Sequence, residues 1–215
     1  IRNQDGRVIR TMSGPGTRGI HRIAWDLRLQ PLEIDTLVFE TSDYDVGAQG
    51  PFIMAGEYQV EVRAGQLSAT QAVQVRSDPA MPISPEEQRA RYEFTVNLYR
   101  LQSEEYHTAV QANLLERSAK AATDSVGELS NDAHKRIQEL VEHINSVAND
   151  IRGQNNSLRN WWRGLIGEFD GGLNTQGTMT GPTGAQTRRY ERTRVEFSTV
   201  VEALDRVIVE VVPEL

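Results

Sequence analysis

The chain has 215 residues, enough for one large domain or two modest ones that each bury a core. Its formal charge of -7 at pH 7 argues against binding to nucleic acid, because phosphate backbones attract basic surfaces. The chain contains no cysteine, which excludes disulfides and thiolate zinc sites, and no apolar run long enough to form a transmembrane segment.

The first residues predict a β-hairpin of which only one strand is complete. Asp5-Gly6 is a hairpin turn signal, and the strand after it runs from Val8 to Met12. The strand before the turn is barely two residues long. We therefore expect that an N-terminal strand is missing and that the chain is the C-terminal part of a longer protein.

Up to about residue 80, apolar and polar side chains alternate, as they do in strands with one buried face. Three segments show this pattern: GIHRIAWDLR (19–28), GEYQVEVRAG (56–65) and QAVQVRSDP (71–79). Short strands separated by turns predict an antiparallel β-sandwich over 1–80, with its own core. Trp25 is expected to be the buried plug of that core.

An irregular acidic segment interrupts the strands between residues 30 and 52. Carboxylates at Glu40, Asp43 and Asp45 make it the candidate calcium site of the chain, since calcium prefers oxygen ligands. The twelfth position of an EF-hand loop would be Met54, so an EF-hand is excluded.

After Asp78-Pro79 the apolar residues recur every three or four positions, which is typical of helices. Ser84-x-x-Glu87 and Thr183-x-x-Gln186 are capping boxes that mark two helix starts. We expect an antiparallel three-helix bundle over 81–215, with long helices over about 85–122, 131–168 and 184–212. The predicted fold class is therefore α+β in two domains, a sandwich followed by a bundle.

The second of these helices has the clearest apolar seam. Five residues recur at intervals of seven: Ile137, Ile144, Ile151, Leu158 and Leu165. Such a seam is typical of helices that pack lengthwise in a bundle. We expect Ile144, in the middle of the seam, to be buried against the first and third helices.

No residue pattern indicates catalysis. GPGTRG (14–19) matches the spacing of a dinucleotide motif, but it lies between strands and is better explained as a turn. Glu104 and His107 form one Glu-x-x-His unit on a helix, whereas a di-iron site needs two such units. We therefore predict no catalytic residues and no cofactor, and no metal beyond the calcium candidates.

Trp161 and Trp162 are the candidate contacts for a ligand or a partner. Adjacent indole rings can stack on a sugar or against a protein surface, but their place in the apolar seam also suits packing within the bundle. Both interpretations stay open at this point.

Four segments of the chain resemble one family. They are IRNQDGRVIRTM, GIHRIAWDLR, GPFIMAGEYQVEVRAG and VQVRSDPAMPIS. They are similar to the C-terminal region of large bacterial secreted proteins with a sortilin-like, BNR-repeat β-propeller, often labelled glycosyl hydrolases. The resemblance implies an accessory region, an immunoglobulin-like or flagellar-hook-cap-like sandwich with a helical tail. Any catalytic activity of the family belongs to the propeller, which this chain does not contain.

These observations predict a non-catalytic structural and protein-interaction module. The resemblance implies an extracytoplasmic location (periplasmic, cell-surface or secreted) and an upstream β-propeller, of the same or an associated chain, as partner. The helical bundle is expected to dock a protein partner or a second copy. The alternative is a carbohydrate-binding accessory module of a glycoside-hydrolase-like protein, acting through the sandwich loops or through Trp161 and Trp162.

Overall fold

The structure is a computed structural model that combines one β-hairpin with long helices. It describes residues 1–31, 49–80, 83–125, 158–170 and 177–211, and in addition 135, 138, 139, 141–146 and 149. The elements are β1 (Gly56–Ala64), β2 (Leu67–Val75), α1 (Pro85–Ser125), α2 (Leu158–Asp170) and α3 (Gly184–Val211). Residues 141–146 are helical as well.

The two strands form an antiparallel hairpin whose nine-residue strands pair along their whole length. Gly65 in the two-residue turn has a φ of 59°, the left-handed conformation that such turns require. Within the described residues the sheet has two strands, and Arg2 adds isolated bridges to Val8 and to Gln59.

The predicted β-sandwich over 1–80 is wrong. Residues 19–28, expected to form a strand, have no regular strand structure, and Leu27 lies in the left-handed region with a φ of 59°. Ile23 is 50% exposed and Leu27 41% exposed. A sandwich buries its apolar residues between two facing sheets. In the part of the chain that the structure describes, no second sheet faces the hairpin, so the alternation of side chains does not produce a core.

Trp25 is half-buried instead of being the plug of a core. Its ring meets that of Tyr58 edge to face, with 5.7 Å between the ring centroids. Its indole Nε1 donates a hydrogen bond of 2.9 Å to the carbonyl oxygen of Arg28. Trp25 therefore covers the base of the hairpin and holds the irregular N-terminal segment against it.

Both predicted capping boxes are confirmed, at the starts of α1 and α3. The Ser84 hydroxyl accepts a bond from the Glu87 amide at 3.1 Å, and the Glu87 carboxylate accepts one from the Ser84 amide at 3.3 Å. Thr183 and Gln186 make the same reciprocal pair. These bonds satisfy amide groups that have no partner within the first helical turn, which fixes where each helix begins.

The predicted bundle of three long helices is not shown either. Helices α1 and α3 have 41 and 28 residues, but α2 has 13, and much of the predicted second helix lies outside the described residues. The two seam residues whose side chains are described pack in different clusters, Ile144 with Tyr106 and Leu204, and Leu165 with Phe94. A seven-residue recurrence indicates which side of a helix is buried, but not that the helix is continuous.

The expected burial of Ile144 is confirmed. Its side chain is fully buried in a cluster with residues of α1 and α3, including Tyr106, Ala109, Leu204 and Val207. Helices α1, α2 and α3 also contact one another pairwise.

The apolar core of the described residues lies among the helices. Its three clusters draw all their buried members from residues 94–207. In the described part of 1–80, the buried residues are Arg28, Gly50 and Pro51. The expected separate core of the first 80 residues is thus not found there, and the boundary near residue 80 stays a prediction. None of the helices described has an apolar stretch that could cross a bilayer.

Candidate functional site

The hairpin separates its side chains into an apolar and a polar face. Successive residues of a strand point to opposite faces, and residues directly opposite in the two strands share a face. The register therefore places six large apolar side chains together, which we call the apolar hairpin face: Tyr58, Val60, Val62, Leu67, Val73 and Val75. The polar face carries Glu57, Gln59, Glu61, Arg63, Ser68 and Thr70.

The apolar hairpin face is exposed most strongly near the turn, and less so at Val73, which lies opposite Tyr58 near the base. Leu67 is 77% exposed, Val62 60% and Val73 36%. Burial of an aliphatic side chain of this size stabilises a protein by about 1.5 to 3 kcal/mol, so the exposed face leaves this stabilisation unused. A covering surface would therefore bind here through the hydrophobic effect.

The other end of the hairpin is anchored. The backbone of Arg2 exchanges two hydrogen bonds with that of Gln59, of 2.8 and 3.0 Å. The Arg2 guanidinium lies 3.3 Å from the Glu61 carboxylate, and the Tyr58 hydroxyl donates to the Met54 carbonyl at 2.8 Å. These contacts hold the base of the hairpin, whereas the turn end projects away from it.

A buried ion pair joins the N-terminal segment to the helices. The Arg28 guanidinium donates to the Asp170 carboxylate at 2.9 Å, and each side chain is only 9% exposed. The same nitrogen of Arg28 donates to the Gly50 carbonyl at 2.8 Å, and the guanidinium lies 3.6 Å from the ring centroid of Phe52. Tyr99 of α1 donates its hydroxyl to the oxygen of Asp170 that binds Arg28.

Arg91 of α1 supports the same corner. It donates to the carbonyls of Phe169 and Thr178, both at 2.8 Å, and so links α1 to the end of α2 and to the segment before α3. Burial lowers the pKa of the Arg91 guanidinium, and Asp170 acts in the opposite direction. Burial, followed by the negative charge of Asp170, raises the pKa of Tyr99 far above its usual value. Tyr99 therefore stays a neutral hydrogen-bond donor.

We call Arg28, Arg91, Tyr99 and Asp170 the buried ionic cluster. Arg28 and Tyr99 both donate to Asp170, and the two arginines also donate to nearby carbonyl groups. Breaking such a pair leaves an uncompensated buried charge, which costs several kcal/mol. The chemistry of this cluster is therefore structural, because it holds residues 28 and 50–52 on the helices.

A cleft of about 270 Å³ lies between the N-terminal turn, the base of the hairpin and α1. Its walls include Asp5, Glu57, Tyr58 and Tyr92. Burial raises the pKa of both tyrosines, while both carboxylates belong to exposed residues. This arrangement suits a small cationic group, but it brings no nucleophile and base together.

The predicted site residues are placed as follows. Glu40, Asp43 and Asp45 lie outside the described residues. Trp161 and Trp162 belong to α2, but their side chains are outside the described part of the structure. Among the described residues, no group of three or more histidines and carboxylates is placed to hold a metal ion. Glu104 and His107 are both exposed on α1.

The buried ionic cluster is not among the features predicted from the sequence. The alternating pattern assigned Arg28 to the polar face of a strand, and no signal links it to a residue 142 positions away. The sequence does carry one signal for the partner of Arg28, Asp170. Asp170 ends α2, where the negative end of the helix dipole disfavours a carboxylate, so a nearby cation was to be expected.

Comparison of the chain with protein-family models, with curated proteins and with solved structures finds no match.

Proposed function

We propose that this chain is a non-catalytic structural and interaction module that binds its partner through the apolar hairpin face. The observation that carries the proposal is the exposure of Leu67 and Val62, at 77% and 60%, on a face whose opposite side is uniformly polar or small. A two-stranded hairpin is marginally stable by itself in water. A partner that covers the apolar face would supply the burial that the hairpin lacks.

The anchored base of the hairpin supports this role. Trp25 and Tyr58 pack at the base, and the buried ionic cluster holds the adjoining segment on the helices. The helices would thus serve as a rigid base from which the exposed end of the hairpin projects. Preorganisation of this kind lowers the entropic cost of binding.

The proposed partner is a β-propeller of the same or an associated chain, in an extracytoplasmic location. This part of the proposal is supported by the family resemblance of segments such as GIHRIAWDLR and GPFIMAGEYQVEVRAG.

The proposal is tested by titration calorimetry of the 215-residue chain against a β-propeller encoded with it. We expect a Kd below about 10 µM. Val62→Asp and Leu67→Asp should each weaken binding at least tenfold, about 1.4 kcal/mol, because they bring a carboxylate into the contact.

The matched control is Gln59→Asp, which adds the same charge on the polar face of the same hairpin. It should bind like the wild type. Equal affinity of all three variants, or no binding of the wild type, would contradict the proposal. A second contradiction would be turnover of a glycoside or a peptide that a single carboxylate substitution abolishes.

A further inference from the structure

Among the described residues, the backbone groups along the outer edge of β2 pair with no other strand, and the Ala72 carbonyl accepts only a 3.4 Å bond from the side chain of the adjacent Gln71. Because Gln59 exchanges both of its backbone hydrogen bonds with Arg2, its N–H and C=O point away from β2. Backbone groups of successive strand residues alternate in direction, so the even-numbered residues of β1 bond to β2. Since the even-numbered residues of β1 pair with odd-numbered residues of β2, the odd-numbered residues of β2 bond to β1. The backbone N–H and C=O groups of the even-numbered residues therefore point outward: Ser68, Thr70, Ala72 and Gln74. Within the described residues, no strand lies on that side.

This edge lacks the usual protection of an edge strand. Native proteins discourage strand addition with charged side chains, proline or bulges on such edges. The sequence of β2, LSATQAVQV, has no charged residue and no proline, and it pairs with β1 without a bulge. By contrast, β1 carries Glu57, Glu61 and Arg63. The outer edge of β2 is thus open to another strand.

We propose that β2 pairs antiparallel with β2 of a second copy of this chain, about a two-fold axis at Gln71. The contact joins two hairpins into one four-stranded sheet. It uses the edge of the hairpin, so it is distinct from the docking of a partner on the apolar hairpin face.

The register follows from the side chains of β2. With the axis at Gln71, Thr70 lies opposite Ala72 and Ser68 opposite Gln74, so the outward backbone groups of the two copies meet and exchange hydrogen bonds. On the apolar face, Ala69 then lies opposite Val73, Leu67 opposite Val75 and Gln71 opposite its own copy. Apolar residues therefore face apolar ones, and the glutamines can bond to each other.

The neighbouring registers are less favourable. A shift of one residue places outward groups against groups already bonded to β1, so no ladder forms. A shift of two residues in either direction places Gln71 opposite Ala69 or Val73 of the other copy, a polar side chain against an apolar one. One symmetric register thus satisfies both the backbone and the side chains.

Charge favours the same contact. The chain has a net charge of -7, so two copies repel each other on average. β2 brings no charged side chain to the contact, and the charged residues of the hairpin lie on the more distant strand β1. The edge of β2 is therefore a place where two copies meet without placing like charges opposite each other.

The oligomeric state tests the proposal. Light scattering at about 100 µM should give twice the chain mass of 24.1 kDa, as expected for micromolar self-association. Thr70→Pro removes an outward N–H without removing a bond to β1, and should weaken self-association at least tenfold. The control Arg63→Pro removes an outward N–H from β1 and should leave the dimer intact. A monomeric wild type, or equal weakening by both prolines, would overturn the proposal.

A cysteine pair tests the register without depending on a proline. Because the chain has no cysteine, Gln71→Cys introduces the only thiol. Across the proposed axis its Cα lies about 4.5 Å from that of its copy, within disulfide range. Gln74→Cys is the exposed control, since it would lie about 20 Å from its copy. Gln71→Cys should form a disulfide-linked dimer at least tenfold faster than Gln74→Cys, and equal rates would overturn the proposal.

Titration calorimetry and the measurement of the oligomeric state together separate this proposal from the proposed function. A monomeric chain that binds a β-propeller through Val62 and Leu67 overturns the β2 dimer alone. A dimeric chain that fails to bind overturns the proposed partner and keeps the dimer.

Discussion

Arg28 and Asp170 form a buried ion pair that joins the N-terminal segment to the helices. Their side chains are equally buried, and Asp170 also accepts the hydroxyl of Tyr99. Among the described residues, the second carboxylate oxygen of Asp170 is buried and has no hydrogen-bond partner. One oxygen of Asp170 therefore serves both donors, Arg28 and Tyr99.

Replacement of Asp170 by asparagine keeps the shape of the side chain and removes its charge. It leaves Arg28 buried without a counter-charge, so we expect a loss of about 3 to 5 kcal/mol in the free energy of unfolding, measured with urea. The control is Glu168→Gln on the same helix. Glu168 forms a 2.7 Å ion pair with Arg189, and its side chain is 41% exposed. Glu168→Gln should lower the free energy of unfolding by less than about 1 kcal/mol. Equal losses would show that the Arg28 pair contributes no more than a surface pair.

Tyr99 should add to the pH dependence of stability. Its pKa is raised in the folded protein, so the folded chain keeps its proton where the unfolded chain loses it, above the usual value of 10.0. This contribution is complete below about pH 10 and is lost as the pH rises further. Tyr99→Phe should therefore make the decrease in unfolding free energy between about pH 10 and 11 less steep. An unchanged slope in urea titrations would contradict the burial of the Tyr99 hydroxyl.

At the scale of elements, two turn glycines with similar backbone angles differ in their surroundings. Gly65 in the hairpin turn has a φ of 59° and open space around the position of a Cβ atom. Gly50, beside the buried ionic cluster, has a φ of 51°, and a Cβ there would collide with the Leu29 carbonyl oxygen and lie 3.0 Å from that of Gln30. A side chain at either position would strain the left-handed backbone, but only at Gly50 would its Cβ atom also collide with neighbouring backbone atoms.

Gly65→Ala should thus cost about 1 to 2 kcal/mol, the price of the left-handed conformation. Gly50→Ala should cost clearly more, because backbone atoms have to move and Gly50 also accepts a bond from Arg28. Thermal denaturation followed by circular dichroism measures both. If Gly65→Ala were the more damaging change, the crowding at Gly50 would be refuted.

At the scale of the whole molecule, the described N-terminal residues depend on the helices for their stability. The apolar clusters lie between residues 94 and 207, whereas the ion pair of Arg28 reaches across to α2. A segment without an apolar core gains its stability from the body on which it packs. We therefore expect the hairpin and the helices to unfold together.

Ile144→Asp tests this coupling, because it brings a charge into a fully buried apolar cluster between α1 and α3. We expect Ile144→Asp to lower the free energy of unfolding by several kcal/mol. Hydrogen exchange at increasing urea should show that the amides of β1 and α1 lose protection at the same denaturant concentration. A hairpin that stays protected after α1 has opened would instead support the predicted boundary near residue 80.

The sequence by itself determined those features whose physical cause lies within a few residues. The capping boxes at Ser84 and Thr183 satisfy amides three positions away, and the alternation in β1 and β2 separates an apolar from a polar face. Helical spacing also placed Ile144 correctly on a buried side. Signals of this kind can be recognised from spacing alone.

Only the tertiary structure decided what covers each apolar face and which distant charges meet. Alternation indicates that one face of a strand is apolar, but a sandwich needs a second sheet, and none faces the hairpin in the described residues. Likewise, Arg28 and Asp170 are separated by 142 positions, and they meet because Leu27 takes a left-handed backbone conformation and α2 ends beside α1. Contacts of that range depend on how the elements pack in three dimensions, which no local pattern of residues encodes.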